Sequence, residues 1–315
     1  MSADHIRVTF ERALTAWNNK QVEAAKAACE DVLAAEPNHT HALHLLGLLA
    51  HHVGESARTV DLIGKAIVLQ PNNAAFHANL GAAFEVLGQR PAAIASFDKA
   101  IALKPDSAAI HYNRGNALRT FGEGADAVAS YDTAIALKPE YAEAYINRGS
   151  ALNAMGQTDA AIASYETAVQ LRPGDFKLHA MLGALLQEHG RLAEAEALAR
   201  KAIARDPANA KIHSTLGYLL QEQGRWMEAE ACFRLSIALG PRNAEAHHKL
   251  ACLLQVQGRL IEAEDNCRQA IALQPNDAGA YGTLIFIRDL TDATTTASAQ
   301  SERRHWAERF AAPPS

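Results

Sequence analysis

The chain has 315 residues, 49% hydrophobic and 21% charged, with a formal net charge of −5 and a pI near 6.3. That balance suits a folded globular chain and lacks the basic excess that neutralising a phosphate backbone requires, which argues against nucleic acid as a partner. No apolar run reaches the roughly 18–20 residues that span a bilayer, and the opening stretch MSADHIRVTFERALTAW carries no signal-peptide hydrophobic block, so a soluble cytoplasmic protein without membrane contact is expected.

Alanine and leucine dominate and β-branched residues are sparse, so the expectation is helix throughout and no sheet. Prolines stand at 37, 71, 105, 139, 173, 207, 241 and 275, each 34 residues after the last. Glycines keep the same interval at 47, 81, 115, 149, 183 and 217, and a second set follows seven residues later, from 54 to 258. A fixed period of this length marks an array of one small supersecondary unit.

Counting Ala74 as slot 1, Gly81 is slot 8, Gly88 slot 15, Ala93 slot 20, Phe97 slot 24, Ala100 slot 27 and Pro105 slot 32. The spacing predicts helix A over slots 1–14, a break at Gly88, helix B over slots 18–30 and a stop at the proline. Small residues at slots 8, 20 and 27 let the two helices approach closely.

With these residues in place, the sequence resembles the tetratricopeptide repeat family over residues 6–277. The resemblance implies an all-α, right-handed superhelical solenoid of antiparallel helix pairs. Its eight repeats run over 6–39, 40–73, 74–107, 108–141, 142–175, 176–209, 210–243 and 244–277, after an N-terminal extension at 1–5. The end repeats depart from the pattern: Leu14 stands one slot past the usual glycine, Lys20 occupies the first break, and Ala251 replaces the eighth slot-8 glycine. Residues 278–290 are expected as a capping helix, and TDATTTASAQSE, residues 291–302, as a linker.

The same resemblance places helix A along a concave groove, with slots 2, 5, 6, 9, 12 and 13 reaching into it. Slot 6 reads Asn79, Asn113 and Asn147 in the third to fifth repeats. A carboxamide offers one acceptor and two donors, so a row of them suits the main chain of an extended protein or peptide client. The plainer reading is that these asparagines solvate the groove wall or cap a neighbouring turn. Slot 12 adds a polar stripe of Glu85, Arg119, Asn153, Gln187, Gln221 and Gln255, and Asn116 at slot 9 joins the candidate peptide-binding set.

Other chemistry is thinner. The histidines at slot 4, His77, His111, His179, His213 and His247, read as packing residues, and His41, His44 and His51 lack a carboxylate or thiol to complete a metal set. Cys29, Cys232, Cys252 and Cys267 show no C-x-x-C pairing and read as small hydrophobes in a reducing compartment. The family's carboxylate clamp is only partly matched: Asn116, Asn147 and Lys177 fit, but Tyr112 and Met181 stand where cations belong. A 35-residue, basic RNA-reading array is likewise a poor match.

The C-terminal stretch resembles the junction in bacterial O-linked N-acetylglucosamine transferases and SPINDLY-like proteins, through Leu284, Ile285 and Phe286 and the block from Arg303 to Phe310. There, residues 291–315 would hold the linker and an amphipathic tail helix at the start of a glycosyltransferase region. Trp306 and Phe310 stand four apart on that helix and read as a partner contact. No phosphate loop, nucleophile motif or acid/base pair appears, so no catalysis, metal or cofactor is expected of this chain. Self-association is open at this point, as is the reading as the substrate-selecting arm of a sugar-nucleotide-dependent protein glycosyltransferase.

Overall fold

The computed structural model describes residues 2–290 together with Arg303, Arg304, Trp306 and Phe310. Among these, seventeen α-helices and no strand are present. Two compact units divide the chain, Met1–Arg172 and Pro173–Ser315. Unit 1 holds α1 (Ala3–Asn18), α2 (Val22–Ala35), α3 (Thr40–His52), α4 (Ser56–Leu69), α5 (Ala74–Val86), α6 (Arg90–Leu103), α7 (Ala108–Thr120), α8 (Gly124–Leu137), α9 (Ala142–Ala154) and α10 (Thr158–Leu171). Unit 2 holds α11 (Phe176–Glu188), α12 (Leu192–Arg205), α13 (Ala210–Glu222), α14 (Trp226–Leu239), α15 (Ala244–Val256), α16 (Leu260–Leu273) and α17 (Ala278–Leu290). The helices fall where the 34-residue period puts them, except that α1 starts at Ala3 and absorbs most of the expected extension. The linker expected over 291–302 lies outside the described residues.

Each turn is specified locally. Gly88 has φ 69° and donates to the Glu85 carbonyl, while Gln89 donates to Phe84, the paired bonds that close a helix through a left-handed residue. The same pair recurs at each later slot-15 glycine, for example Gly224 to Gln221 and Arg225 to Leu220. In the first repeat Lys20 holds this conformation at φ 59°, the one non-glycine among the described residues to do so. At the other end of the repeat, slot 34 caps the next helix A: Asn73 Oδ1 accepts from Ala75 N at 3.1 Å and Asp175 Oδ1 from Lys177 N at 3.0 Å. The slot-4 histidines fasten that junction, His77, His111 and His213 meeting the carbonyls of Pro71, Pro105 and Pro207 at 2.8, 3.0 and 2.8 Å.

The core of a repeat is one contact between its two helices. A side chain at slot 24 lies across the slot-8 glycine so closely that a Cβ would sit 2.7 Å from Ile63 at Gly47, 2.9 Å from Phe97 at Gly81 and 2.6 Å from Tyr131 at Gly115. Gly217 has the same relation to Phe233 at 2.9 Å, and Gly149 to Tyr165 at 3.1 Å. Phe97, Tyr131 and Phe233 are fully buried there. The first and eighth repeats bring the sizes closer together, with Ala13 and Cys29, and Ala251 and Cys267, in slots 8 and 24, all fully buried.

Adhesion between repeats differs in the two units. In unit 1, Arg114 on α7 reaches Asp98 of α6 at 2.8 Å and Ser130 of α8 at 2.9 Å, and Arg148 repeats this with Asp132 and Ser164 at 2.6 and 2.7 Å. That slot is leucine in the second and third repeats, Leu46 and Leu80, and in unit 2, where Leu182, Leu216 and Leu250 are buried. A charge link also passes between B helices, in unit 1 from Arg58 to Glu30 at 3.3 Å, and in unit 2 through two arginines. Arg225 grips Glu228 of its own repeat and Glu196 of the preceding one, and Arg259 does the same with Glu262 and Glu230, all at 2.6–2.8 Å. Burial pushes the Glu196 and Glu230 carboxyls up, but the hydrogen-bonded guanidiniums of Arg225 and Arg200, and of Arg259 and Arg234, outweigh it and hold both below the usual carboxylate range.

Two substitutions test this account. Gly115→Leu drives a side chain into the fully buried Tyr131 ring and is expected to lower unfolding stability by about 1–3 kcal/mol in a denaturant titration. Lys20→Gly removes a left-handed lysine and is expected to raise it by about 1 kcal/mol. A neutral Gly115→Leu protein would mean that the close approach does not set the helix spacing.

Candidate functional site

In unit 1 the helices A of successive repeats, α3, α5, α7 and α9, lie side by side. A slot-6 side chain therefore sits over slots 5 and 9 of the preceding repeat. Asn79 Nδ2 donates to His44 Nε2 at 2.7 Å. His44 also stacks on Phe76 with ring centroids 4.5 Å apart. Burial, reinforced by His41, brings its imidazole down to about 4, so the ring is neutral and able to accept. Since this lies below the ordinary value of 6.5, the neutral ring contributes stability above pH 6.5 that is lost as pH falls towards 4.

Two repeats further on, Asn147 Nδ2 donates both protons, to Tyr112 Oη at 3.0 Å and Asn116 Oδ1 at 2.8 Å. Asn116 Oδ1 also accepts from Tyr131 Oη at 2.8 Å, so this network joins α7, α8 and α9. Asn113, between them, is exposed, and its carboxamide has no protein partner among the described residues. The three asparagines are thus not equivalent teeth. Asn147 and Asn116 are committed to the junction, Asn79 has spent one donor, and Asn113 alone keeps its full set; Oδ1 of Asn79 and of Asn147 remains open as an acceptor.

The polar stripe is also mixed. In unit 1, Glu85 accepts from Thr120 Oγ1 at 2.8 Å, while Arg119 and Asn153 are exposed. In unit 2, Gln187, Gln221 and Gln255 are half-buried, and Gln221 Oε1 is sealed from solvent without a donor. The slot-6 rule holds in unit 2 with other chemistry: Lys249 lies 4.3 Å over the Tyr218 ring, and Thr283 Oγ1 meets His248 Nε2 at 3.1 Å and Cys252 Sγ at 3.8 Å. Among the described residues no group of three or more histidines, cysteines or carboxylates is placed to hold a metal ion.

The tail aromatics touch the chain's own last helix. Trp306 Nε1 donates to the Ala278 carbonyl at 3.4 Å, Phe310 packs on Tyr281 at 5.5 Å between centroids, and Arg303 pairs with Asp289 at 2.6 Å. Both rings are half-buried against α17 rather than displayed to solvent. The rest of the tail block, including His305 and residues 307–309, lies outside the described residues.

Cys252 departs from the reading of the cysteines as inert packers. Burial pushes its thiol up, but the hydrogen bond and charge of His248, helped by Thr283 and Lys249, bring it below the ordinary thiol range. His248 is in turn raised, first by its bond to Cys252 and against burial, and its Nδ1 lies 3.6 Å from Asp277. Cys29 and Cys267 are pushed up to about 12, burial being the main cause. The signal available in the sequence was a histidine four residues before a cysteine at slots 5 and 9, one helix face. With limiting iodoacetamide at pH 7.5, Cys252 is expected to be alkylated first, and His248→Ala to slow it severalfold. Peptide mapping that finds Cys29 or Cys267 labelled first would contradict the assignment.

Tetratricopeptide repeat profiles match residues 112–176, 146–210, 186–253 and 244–277, and a TPR repeat profile matches 87–120. No significant match was found among curated proteins. Among solved structures, the C-terminal part of a TPR repeat-containing protein from Cytophaga hutchinsonii aligns with a TM-score of 0.62 at 15% identity, over 76% of this chain and 98% of that one. A tetratricopeptide repeat protein from Parabacteroides merdae aligns at 0.53 and 15%, over 80% and 100%. YrrB, described as a TPR protein with an unusual peptide-binding site, aligns at 0.47 and 24%, over 59% and 96%. With helix pairs in the 34-residue register and matches that run without a gap over 87–277, more than half its length, the chain belongs to the tetratricopeptide repeat family.

Proposed function

We propose that the protein is a non-catalytic interaction scaffold that binds extended segments of client proteins along its helix-A face, with Asn113 as the principal main-chain contact in unit 1. The observation that carries this reading is the exposed, uncommitted carboxamide of Asn113, flanked one repeat away on each side by the open Oδ1 acceptors of Asn79 and Asn147. Neighbouring A helices lie roughly 8–10 Å apart, about three residues of extended chain, so a client would meet one carboxamide every third residue. Each bond adds about 1 kcal/mol, which makes such binding weak and tolerant of sequence. The tail supports a second reading, the substrate-selecting arm of a protein glycosyltransferase. It draws on the likeness of residues 284–286 and 303–310 to that junction and on the docking of Trp306 and Phe310 against α17.

A photoreactive residue at position 113 identifies the client by cross-linking and mass spectrometry. Against the captured segment, Asn113→Ala is expected to weaken binding about fivefold with an unchanged melting temperature. Asn147→Ala, which strips donors from Tyr112 and Asn116, is expected to cost about 1–2 kcal/mol of stability. Equal client affinity in parent and Asn113→Ala would leave Asn113 as plain groove wall.

A further inference from the structure

The sixth repeat breaks the packing rule of the others. It keeps the slot-8 glycine, Gly183, but slot 24 is Ala199 where Phe97, Tyr131, Tyr165 and Phe233 stand elsewhere. A Cβ built on Gly183 meets nothing within 4 Å, in contrast to Gly81, Gly115 and Gly217. The first, second and eighth repeats also lack a ring, but Ile63 covers Gly47 in the second, and in the first and eighth an alanine in slot 8 and a cysteine in slot 24 are fully buried. In the sixth neither position is filled, and of the helix pairs that share a repeat α11 and α12 are in the loosest contact.

The result is a cavity of about 310 Å³ between α11, α12 and α13, partly open to solvent. Gly183, Ala199, Leu198 and Ile212 line it together with the exposed Lys177 and Lys211. A dry cavity of about 150 Å³ accommodates benzene, so this one has room for an indole or phenol ring. No carboxylate lines it, and neither lysine has an ion-pair partner among the described residues. Both lysines are exposed and occupy slot 2 of successive repeats.

The geometry points to a docking site for a single aromatic side chain of an acidic polypeptide segment, the ring replacing the one the sixth repeat lacks and flanking carboxylates meeting Lys177 and Lys211. A polypeptide fits the charges better than a free aromatic acid does. Slot 2 of successive A helices is separated by about 8–10 Å, the length of three extended residues, so acids three positions apart on either side of the ring reach both ammonium groups. A small aromatic acid carries one carboxylate and satisfies one lysine. The site lies wholly in unit 2 and does not rest on Asn113.

The test uses the full chain and a fluorescein-labelled tetrapeptide, acetyl-Glu-Trp-Gly-Glu, followed by anisotropy. The parent is expected to bind it, and the peptide with Ala for Trp or Gln for both Glu to bind at least tenfold more weakly. Ala199→Phe fills the cavity from within; it is expected to raise the melting temperature and weaken the peptide at least tenfold. Lys177→Glu with Lys211→Glu changes only exposed residues, and is expected to weaken binding at least fivefold without altering melting. This pair decides the matter if Ala199→Phe does not fold. Asn113→Ala is expected to leave this binding untouched, which separates the site from the unit 1 face. Failure of the parent to bind, full affinity in the lysine variant or in a folded Ala199→Phe protein, or indole-3-acetate competing as tightly as the tetrapeptide would each overturn the assignment.

Discussion

A slot-24 side chain lying against a glycine in the middle of the facing helix is the contact on which the rest of the structure depends. Without a Cβ at Gly81, Gly115 or Gly217, the ring of Phe97, Tyr131 or Phe233 comes within what would be overlap distance for any other residue. A mid-helix glycine costs about 1 kcal/mol relative to alanine, and burial of an aromatic ring offsets that severalfold. The contact also fixes rotation. Once slots 8 and 24 face each other, slot 6 must point away from the partner helix and towards the neighbouring helix A, where it meets slots 5 and 9 of the previous repeat.

That placement makes slot 6 a joint between repeats. His44 with Asn79, Tyr112 and Asn116 with Asn147, Tyr218 with Lys249, and His248 and Cys252 with Thr283 use four chemistries for one position. Whether a slot-6 group keeps its hydrogen-bonding capacity is therefore decided by its neighbour one repeat back. Asn113 faces Phe76's repeat, where slot 5 is Ala78 and slot 9 is Ala82, side chains that offer nothing to a carboxamide.

This explains how far the sequence could be read. Proline, glycine and cap positions follow from local backbone demands, so the period located the helices to within a residue or two: a left-handed φ at Gly88 or a slot-34 Asn73 cap needs no knowledge of the rest of the chain. The state of the asparagines depends on residues 31 to 35 positions away, and identical amides at 113 and 147 end in opposite conditions. Ala199 was visible as a letter, but its meaning is a volume, and volume is a property of the pair Gly183 and Ala199 rather than of either. Cys252 follows the same rule: the histidine one turn before it is legible on one helix face, but the threonine of α17 that completes the contact stands 31 residues further on.

The two units divide one task differently. Unit 1 joins repeats through helix A, with Arg114 and Arg148 reaching Asp98 and Asp132 and the Asn147 network beside them, so much of the polar capacity of that face is used in construction. In unit 2, slot 25 turns from Asp98 and Asp132 to Arg200, Arg234 and Arg268, slot 7 is leucine as it is at Leu46 and Leu80, and Arg225 and Arg259 carry the ionic link to glutamates of the preceding B helix. Each of these contacts sets one guanidinium nitrogen against both oxygens of a largely buried carboxylate, a charge-assisted arrangement. The A helices α11 and α13 take little part in that ionic joining, and it is there that a repeat does without its central ring, that Lys177 and Lys211 have no ion-pair partner among the described residues, and that Gln221 leaves an acceptor sealed without a donor. A packing defect of that size is tolerable where adhesion has been transferred to another surface, which is the physical reason to look for recognition on the helix-A side of the sixth and seventh repeats.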